Sequence, residues 1–398
     1  MKAERQTTNG EWLTVKLSDV AQQCLGKMLD AKKNKGHRFP YLRNPNVRWF
    51  DVDTTDLQTM PFEDHELERY GLRAGDIVIC EGGEAGRAAI WDGRLADVKF
   101  QKAIHRVRPG PRLYNRFFVH RLMADYYSGR LADYFTGTTI KHFTGQDLAR
   151  YEFPLPPLAE QRRIAEVLDR AEALRAKRRA ALAELDSLTQ SIFLDMFGPN
   201  GKHHSSCSTA FLGSLCRSIN DGVHKTPTYI ESGVPFVTVK NIVNGALDLT
   251  TTKFISEEDH RAFTKRTKPE PGDVLVSKDG TIGVPCPITT DDEFSIFVSV
   301  ALIKPKRELI DQLFLVAQFQ SDWVQRQIRA ESKGIAIRHL HLEDFRRLVF
   351  IVSPIELQRE FARRVRAVEK LKTAQRASLA ELDALFASLQ QRAFRGEL

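Results

Sequence analysis

An internal repeat constrains this chain more than any other feature of its sequence. Residues 182–186, Leu-Ala-Glu-Leu-Asp, recur at positions 379–383, an offset of 197 residues. The same offset relates further glycine, histidine and glutamine positions: Gly75 to Gly272, Gly83 to Gly280, Gly86 to Gly283, Ile140-Lys141-His142 to Ile337-Arg338-His339, and Gln161-Arg162 to Gln358-Arg359. Nearer the start of each copy the offset is 195, as in Leu17 to Leu212, Pro40 to Pro235 and Asn46 to Asn241. A common offset along the chain predicts a tandem duplication.

Length and charge agree with two folded copies. A chain of 398 residues can bury at least two hydrophobic cores. Its 59 Lys and Arg residues against 51 Asp and Glu give a net charge of +8. This balance favours a polyanionic partner, although many soluble proteins carry such a charge for solubility alone.

The cysteines and the hydrophobic pattern indicate the compartment. The five cysteines are odd in number and include no C-x-x-C pair, so we interpret them as reduced packing residues. No stretch approaches the ~20 apolar residues that a membrane-spanning helix needs. We therefore expect a cytoplasmic protein that does not contact a membrane.

Each copy has two parts with different hydrophobic periods. The first part holds short apolar runs bounded by Gly, Pro and Asn, such as residues 75–79 and 103–107, which indicate strands and turns. Helical patterns at 116–131 and 313–328 lie between them, so this part is predicted to be a mixed α/β domain. The predicted division is a globular domain at 1–155, a long helix at 156–198, a second globular domain at 199–353 and a second long helix at 354–398.

The second part of each copy is predicted to be one long helix. Ile164, Leu168 and Ala171 recur at near-heptad spacing in the first copy, as do Phe361 and Val365 in the second. A sequence Ser-Pro-Ile-Glu at 353–356 marks the start of the second helix and offers an N-cap hydroxyl. A helix of about 40 residues is ~60 Å long, more than one small domain needs. We therefore predict an α+β protein in which two long helices pair antiparallel as a coiled-coil-like spacer between the globular domains, related by a pseudo-two-fold axis.

This organisation suggests a device that reads two sites at once. Two half-sites on one face of DNA lie about one helical turn, ~34 Å, or a multiple of it apart, so a rigid spacer would set the gap between them. Because the two copies differ at most positions, the half-sites are expected to differ in sequence. The apolar stripes of the helices are otherwise explained by ordinary burial against the sister helix.

The boundary between the two parts resembles that of type I restriction-modification specificity subunits. In this family a target-recognition domain ends and a conserved helix begins in a segment similar to residues 153–164, Phe-Pro-Leu-Pro-Pro-Leu-Ala-Glu-Gln-Arg-Arg-Ile, which follows Thr-Thr-Ile-Lys-His at 138–142. The second copy is a weaker match, because Ile355-Glu356-Leu357 replaces the more typical Leu158-Ala159-Glu160. The order of these elements, duplicated at one offset, extends the resemblance over essentially the whole chain.

The resemblance implies a role and a set of partners. It implies a DNA sequence-specificity subunit that recognises a bipartite, non-palindromic target and docks two methyltransferase subunits through its long helices, with motor-nuclease subunits joining for cleavage. It implies no cofactor in this chain: S-adenosylmethionine, ATP and Mg²⁺ are expected on the partner subunits. The partner would flip the adenine that is methylated.

The motifs of the chain agree with a non-catalytic role. The sequence contains no Asn/Asp-Pro-Pro-aromatic tetrapeptide, no G-x-x-x-x-G-K-[ST] phosphate loop and no H-E-x-x-H. His203-His204 has no Cys or Asp at ligand spacing and is interpreted as part of a linker. We therefore predict no catalytic residue and no metal site.

DNA-binding candidates are basic and amide residues on predicted loops. Lys and Arg neutralise phosphates, whereas Arg, Asn and Gln also read bases in the major groove. The candidates are Lys32, Lys33, Lys35, Arg38, Arg43, Asn44, Lys99, Gln101, Lys141 and His142 in the first copy, and His224, Lys225, Lys240, Asn241, Lys278, Arg338 and His339 in the second. For any one of them a solvated surface charge is an equal alternative. The matched pairs Lys141/Arg338 and His142/His339 could also hold a turn of the shared fold.

Three other functions fit parts of this pattern. The first is a specificity subunit of a related system whose methyltransferase and nuclease are fused in one partner. The second is a self-sufficient nuclease or methyltransferase, which would need acidic or Asn-Pro-Pro clusters. The third is a coiled-coil scaffold that does not bind DNA.

Overall fold

A computed structural model describes residues 12–30, 32–199, 207–242, 244–332 and 339–398. The chain divides into two units. Unit 1 takes the chain up to Arg178 together with Ser378–Leu398, and unit 2 takes Arg179–Ala377. Two long helices contribute to both units.

Unit 1 is a mixed α/β fold. Its strands are β1 (Leu13–Lys16), β2 (Ala21–Leu25), β3 (His37–Leu42), β4 (Val47–Arg48), β5 (Asp51–Val52), β6 (Gln58–Phe62), β7 (Ile77–Cys80), β8 (Ala88–Ile90), β9 (Lys99–Phe100), β10 (Ile104–Pro109) and β11 (Glu152–Leu155). They form sheets in the orders β2-β10-β7-β8, β6-β3-β9, β1-β11 and β4-β5. Its helices are α1 (Asn115–Tyr127), α2 (Gly145–Arg150) and the first part of α3 (Leu158–Phe197).

Unit 2 repeats this arrangement. Its strands are β12 (Ser208–Phe211), β13 (Cys216–Asp221), β14 (Val234–Val237), β15 (Lys253–Ile255), β16 (Val274–Ser277), β17 (Pro285–Pro287), β18 (Ser295–Ile296), β19 (Val300–Pro305) and β20 (Val349–Val352). Its helices are α4 (Leu212–Leu215), α5 (Glu257–Thr264), α6 (Gln312–Gln320), α7 (Asp322–Glu331), α8 (Leu342–Arg347) and the first part of α9 (Ile355–Ala393). The sheet orders β13-β19-β16-β17, β15-β14-β18 and β12-β20 match three sheets of unit 1 strand for strand. The predicted tandem repeat and mixed α/β class are therefore confirmed.

A central strand of the largest sheet in each unit is buried on both faces. All four residues of β7 are buried, and so are all four of β16. Alternation along β7 sends Ile77 and Ile79 into a core with α1 and α3, whereas Val78 and Cys80 enter a second core with Trp91. A continuous apolar run, rather than an alternating one, is what such a strand requires.

The two shorter helical predictions differ from the structure. The helix predicted at 116–131 ends at Tyr127 in the structure, and Gly129 then adopts a positive φ of 81°. The pattern at 313–328 is broken into α6 and α7 at Ser321, whose hydroxyl accepts from the Val324 amide at 3.4 Å and caps α7. A serine that caps a new helix competes with continuation of the old one.

Helices α3 and α9 run antiparallel within each unit. In unit 1, Arg175 Nε lies 2.7 Å from Asp383 Oδ1, and Arg163 Nη2 donates at 2.6 Å to the carbonyl of Leu398, just beyond the end of α9. In unit 2, Lys372 Nζ lies 3.2 Å from Asp186 Oδ1, and the rings of Phe193 and Phe361 are 5.9 Å apart. In these pairs the residue number on α9 decreases as the residue number on α3 increases. The predicted antiparallel pairing of the two long helices is therefore confirmed. No helix among the described residues is both long and apolar enough to cross a membrane.

A fully buried glutamine ties each long helix to its unit. In unit 1, Gln161 Oε1 accepts from the Tyr114 amide at 2.8 Å, and its Nε2 donates to the carbonyls of Arg112 and Pro156 at 2.9 and 2.8 Å. Gln358 repeats all three bonds in unit 2, with the Asp311 amide at 2.9 Å and the carbonyls of Leu309 and Ser353 at 3.0 and 2.7 Å. The predicted cap at Ser353 is wrong, because its buried hydroxyl has no hydrogen-bond partner among the described residues.

Replacing either glutamine by methionine will loosen the start of one long helix. Each orphaned buried backbone group costs roughly 1–3 kcal/mol, so Gln161→Met should destabilise this junction by several kcal/mol. Hydrogen exchange should accelerate at the Tyr114 amide in Gln161→Met and at the Asp311 amide in Gln358→Met. The control Gln391→Met changes an exposed glutamine of α9 and should leave both amides protected. Unchanged protection in the buried variants would contradict this role.

Candidate nucleic-acid interface

Four loops of unit 1 meet at one end of the central sheet, and backbone hydrogen bonds join three of them. Strand β7 ends at Cys80 where its antiparallel neighbour β10 begins, so the loops 81–87 and 101–103 are adjacent. The Glu81 amide donates to the Ala103 carbonyl at 2.9 Å, and the Phe143 amide donates to the Glu81 carbonyl at 2.7 Å. We call the loops 43–46, 81–87, 101–103 and 136–143 edge 1.

Asn44 joins the remaining loop to edge 1. Its Nδ2 donates to the Gly82 carbonyl at 2.8 Å, while its own carbonyl accepts from Arg87 Nη2 at 3.0 Å. Gly82 also forms a β-bridge with His142. A Cβ at Gly82 would lie 3.2 Å from His142 Nδ1, so a side chain there would crowd the imidazole. Two candidates, Asn44 and His142, are thus brought together around one glycine loop.

Lys141 lies on a hairpin that projects from edge 1. The amides and carbonyls of Thr136 and His142 bond each other at 2.9 and 2.8 Å. Between them Ile140 is 62% exposed, and Lys141 is exposed beside it. The backbone of His142 therefore holds a turn, which is one of the two roles that the sequence analysis offered for this residue. The turn exposes the Lys141 side chain to solvent.

The other unit 1 candidates are spread along strand β3. Lys32, Lys33 and Lys35 are exposed on the loop before this strand. Arg38 is the second residue of β3, and its Nε donates to Thr59 Oγ1 at 3.0 Å. Arg43 lies after the opposite end of β3, where its Nη2 pairs with Asp56 Oδ2 at 2.7 Å.

Lys99 and Gln101 lie near each other but differ in exposure. Lys99 is only 4% exposed, donates to the Leu67 carbonyl at 3.3 Å and lies 4.9 Å from the Phe39 ring centroid. Burial lowers the pKa of this ammonium. Gln101 is half-buried in edge 1, where its backbone N–H donates to the Leu42 carbonyl at 3.2 Å. Lys99 is therefore engaged inside the fold, whereas Gln101 reaches the edge.

Unit 2 builds the corresponding loops in the same way. The Lys278 amide donates to the Ser299 carbonyl at 3.0 Å, and the Leu340 amide donates to the Lys278 carbonyl at 3.0 Å. Asp279 forms a β-bridge with His339, whose Nδ1 lies 2.7 Å from Asp279 Oδ1. We call the described parts of these loops, 238–242, 278–284, 297–299 and 339–341, edge 2. Arg338 lies outside the described residues.

A buried carboxylate contacts Lys278 of edge 2 and two further basic side chains. Asp221, with a side chain 4% exposed, lies 2.7 Å from Lys278 Nζ, 3.3 Å from Arg266 Nη2 and 3.4 Å from His224 Nε2. Burial raises the pKa of Asp221, but the hydrogen bond and charge of Lys278 outweigh burial and hold it below its usual range. The carboxylate is therefore ionised at neutral pH. Arg266 and His224 remain 63% and 66% exposed.

The remaining unit 2 candidates divide by exposure. Lys225 and Lys240 are exposed. Asn241 is 6% exposed, and its Oδ1 accepts from the Thr238 amide at 2.9 Å. Asn46 in unit 1 makes the same bond to the Arg43 amide at 2.9 Å. The side chain of Asn241 therefore holds a turn that both units share.

Sequence reasoning missed two cations at these edges. Lys102 is exposed on loop 101–103, directly after a candidate, and its position next to Gln101 could have signalled it. Arg266 follows α5, where unit 1 has only a 3₁₀ turn, Asp64–Glu66. The 197-residue offset nevertheless aligns Arg266 with Arg69, and this recurrence of an arginine is a sequence signal that could have marked it.

The thiols and acids do not form a metal centre in the described part of the chain. No group of three or more His, Cys, Asp or Glu side chains is placed to bind a metal ion there. All five cysteines are free, and burial raises the pKa of Cys80 to about 11 and that of Cys216 to about 12. Such thiols pack as apolar side chains.

Comparison with known proteins identifies relatives along the chain. The family described as type I restriction modification DNA specificity domain matches residues 9–184. The type I restriction enzyme EcoBI specificity subunit of Escherichia coli is 26% identical, over 97% of this chain and 86% of the relative. The EcoKI specificity subunit of Escherichia coli K12 is 22% identical, over 92% and 83%.

Two solved structures share the fold. One, from work on complex assembly and conformational transition of the type I R-M system, covers 99% of this chain and 100% of its own, with a TM-score of 0.63 at 19% identity. The type I S subunit from M. genitalium covers 98% of both chains, with a TM-score of 0.57 at 16% identity. The comparisons do not favour a fused-partner system or a scaffold that never meets DNA. Along more than nine-tenths of its length the chain is thus similar to DNA specificity subunits of type I restriction-modification systems, and its residues 9–184 match the family model of their specificity domain.

Proposed function

We propose that the chain reads a bipartite, non-palindromic DNA target, with edge 1 on one half-site and edge 2 on the other. The observation that carries this proposal is the same loop arrangement built twice with different side chains. Glu81 and Lys278 have equivalent backbone bonds, yet their side chains carry opposite charges. Two edges with different side chains would read two different half-sites. A palindromic target has identical half-sites and would need two identical edges.

Exposed cations at the edges supply the affinity for phosphates. Lys141 and Lys102 project from edge 1 and Lys240 from edge 2, and Arg266 lies beside edge 2, where it shares the Asp221 carboxylate with Lys278. Lys32, Lys33 and Lys35 extend the positive surface of unit 1 along the loop before β3, Arg38 extends it on β3 itself, and Lys225 extends the positive surface of unit 2. Base reading falls to Asn44, Gln101 and Arg43 in unit 1 and to His224, Lys278 and His339 in unit 2, because amides, imidazoles and cations can bond base edges. Lys99 and Asn241 support the loops from inside.

The partners are methyltransferase and motor-nuclease subunits of the same complex. The relatives are named as subunits of type I restriction enzymes. We propose two methyltransferase subunits, one for each copy of the repeat, docked on α3 and α9. Leu174 and Leu188 of α3 and Leu371 and Leu385 of α9 are each at least 37% exposed, so these helices keep apolar surface for a partner. S-adenosylmethionine, ATP and Mg²⁺ belong to the partners, and this subunit contributes recognition.

Removal of Arg266 should weaken DNA binding equally for all sequences. A cation that neutralises one phosphate contributes about one unit to the slope of log K against log salt. Arg266→Ala in the assembled methyltransferase complex should therefore lower that slope by about 1 and leave the preferred sequence unchanged. Arg261→Ala, on the same segment but outside the Asp221 cluster, is the matched control. An unchanged slope for Arg266→Ala would exclude the phosphate contact.

Exchange of one globular domain should change one half of the target. Replacing residues 199–353 by those of another family member alters edge 2 and leaves edge 1 intact. Sequencing of methylated adenines in host DNA should show a split motif that is lost on gene deletion, and the exchange should change a single half of it. A change in both halves would contradict independent reading, and no gene-dependent methylation with active partners would contradict the proposed function.

A further inference from the structure

Positions 81 and 278 occupy the same place in their units. Each follows the last residue of the central strand, β7 or β16. At each position the backbone amide donates to the 101–103 loop or its counterpart, and the carbonyl accepts from the residue after the histidine. Two backbone bonds on opposite sides fix the direction of the Cα–Cβ bond. The two side chains therefore start from equivalent points of edge 1 and edge 2.

The hydrogen-bonding chemistry at this place is reversed between the units. A glutamate carboxylate, as at position 81, offers only acceptors, whereas a lysine ammonium, as at position 278, offers only donors. In the major groove, cytosine N4 and adenine N6 donate, whereas guanine N7 and O6 and thymine O4 accept. A single position therefore presents complementary chemistry to the two halves of a DNA target.

Both side chains are able to leave their present neighbours. The His142 imidazole lies near Glu81, but its Nδ1 is 3.7 Å from Oε1, which is too long for a hydrogen bond. Lys278 bonds buried Asp221, yet Arg266 Nη2 lies 3.3 Å from the same carboxylate and can keep that contact when Lys278 turns away, because a guanidinium has further N–H groups for a phosphate. Asp221 would not become an unpaired buried charge, the state that makes breaking an ion pair costly.

We propose that positions 81 and 278 are specificity-determining: Glu81 accepts a hydrogen bond from the amino group of a cytosine or adenine in one half-site, and Lys278 donates to a guanine or thymine in the other. This inference rests on the proposed DNA-reading function and assigns the base chemistry of its two edges. It also gives a physical reason for the half-sites to differ at equivalent positions.

Charge-reversing variants in the assembled methyltransferase complex test the proposal. Selection of bound duplexes from a pool with randomised half-sites measures the base preference at every position. Glu81→Lys should switch one position of one half-site from cytosine or adenine to guanine or thymine, and Lys278→Glu should make the opposite switch in the other half. A lost base contact of this kind changes the preference by roughly 5- to 150-fold.

Matched controls lie at the far ends of the same sheets. Asp92→Lys follows β8, which pairs antiparallel with β7, and Lys306→Glu follows β19, which pairs antiparallel with β16. Each makes the same charge change away from the edge and should preserve the target at every position.

Neutral variants keep the test decisive if a reversed charge prevents folding. Glu81→Gln and Lys278→Met should relax the preference at one base position and keep the rest of the target. A uniform loss of affinity with every base preference intact would overturn the assignment and leave these residues as loop supports. Failure of the wild-type complex to select any split target would instead overturn the proposed function itself.

Discussion

The backbone bonds that close each edge are the constraint on which the candidate site depends. In unit 1 the amide and carbonyl of Glu81 bond two other loops, and in unit 2 those of Lys278 do the same. When backbone hydrogen bonds hold a loop on both sides, its side chains can be substituted without a change in the conformation of the loop. The fold can therefore be duplicated once and then diverge in the chemistry that each copy presents.

The same separation of backbone from side chain explains which repeated residues persist. Gln161 and Gln358, both fully buried, bond three backbone groups at equivalent positions, so a different residue at either place would leave buried donors and acceptors unpaired. Asn46 and Asn241 hold equivalent turns in the same way. Residues that recur at the common offset thus serve the fold, and recurrence alone is poor evidence for contact with DNA.

Sequence alone predicted the large features of the fold and part of the site. The duplication, the mixed α/β class and the antiparallel long helices follow from repeat offset and hydrophobic period, which are properties of many residues at once. The break at Ser321 and the buried hydroxyl of Ser353 depend on local competition for single hydrogen bonds, which a pattern does not reveal. The four-part division at exact residue boundaries and the DNA contacts themselves remain predictions.

Electrostatic partners explain why the candidate list needed the structure. Lys99 and Lys278 are both lysines near predicted loops, but one ammonium enters the core beside Phe39, whereas the other bonds a buried carboxylate at an edge. Arg266 reaches that same carboxylate from a segment about 45 residues away in sequence. Lys278 can exchange Asp221 for a base without leaving a buried charge unpaired, because Arg266 contacts the same carboxylate, whereas Lys99 is 4% exposed and lies inside the fold beside the Phe39 ring. This difference, rather than charge, separates a base-reading candidate from a structural lysine.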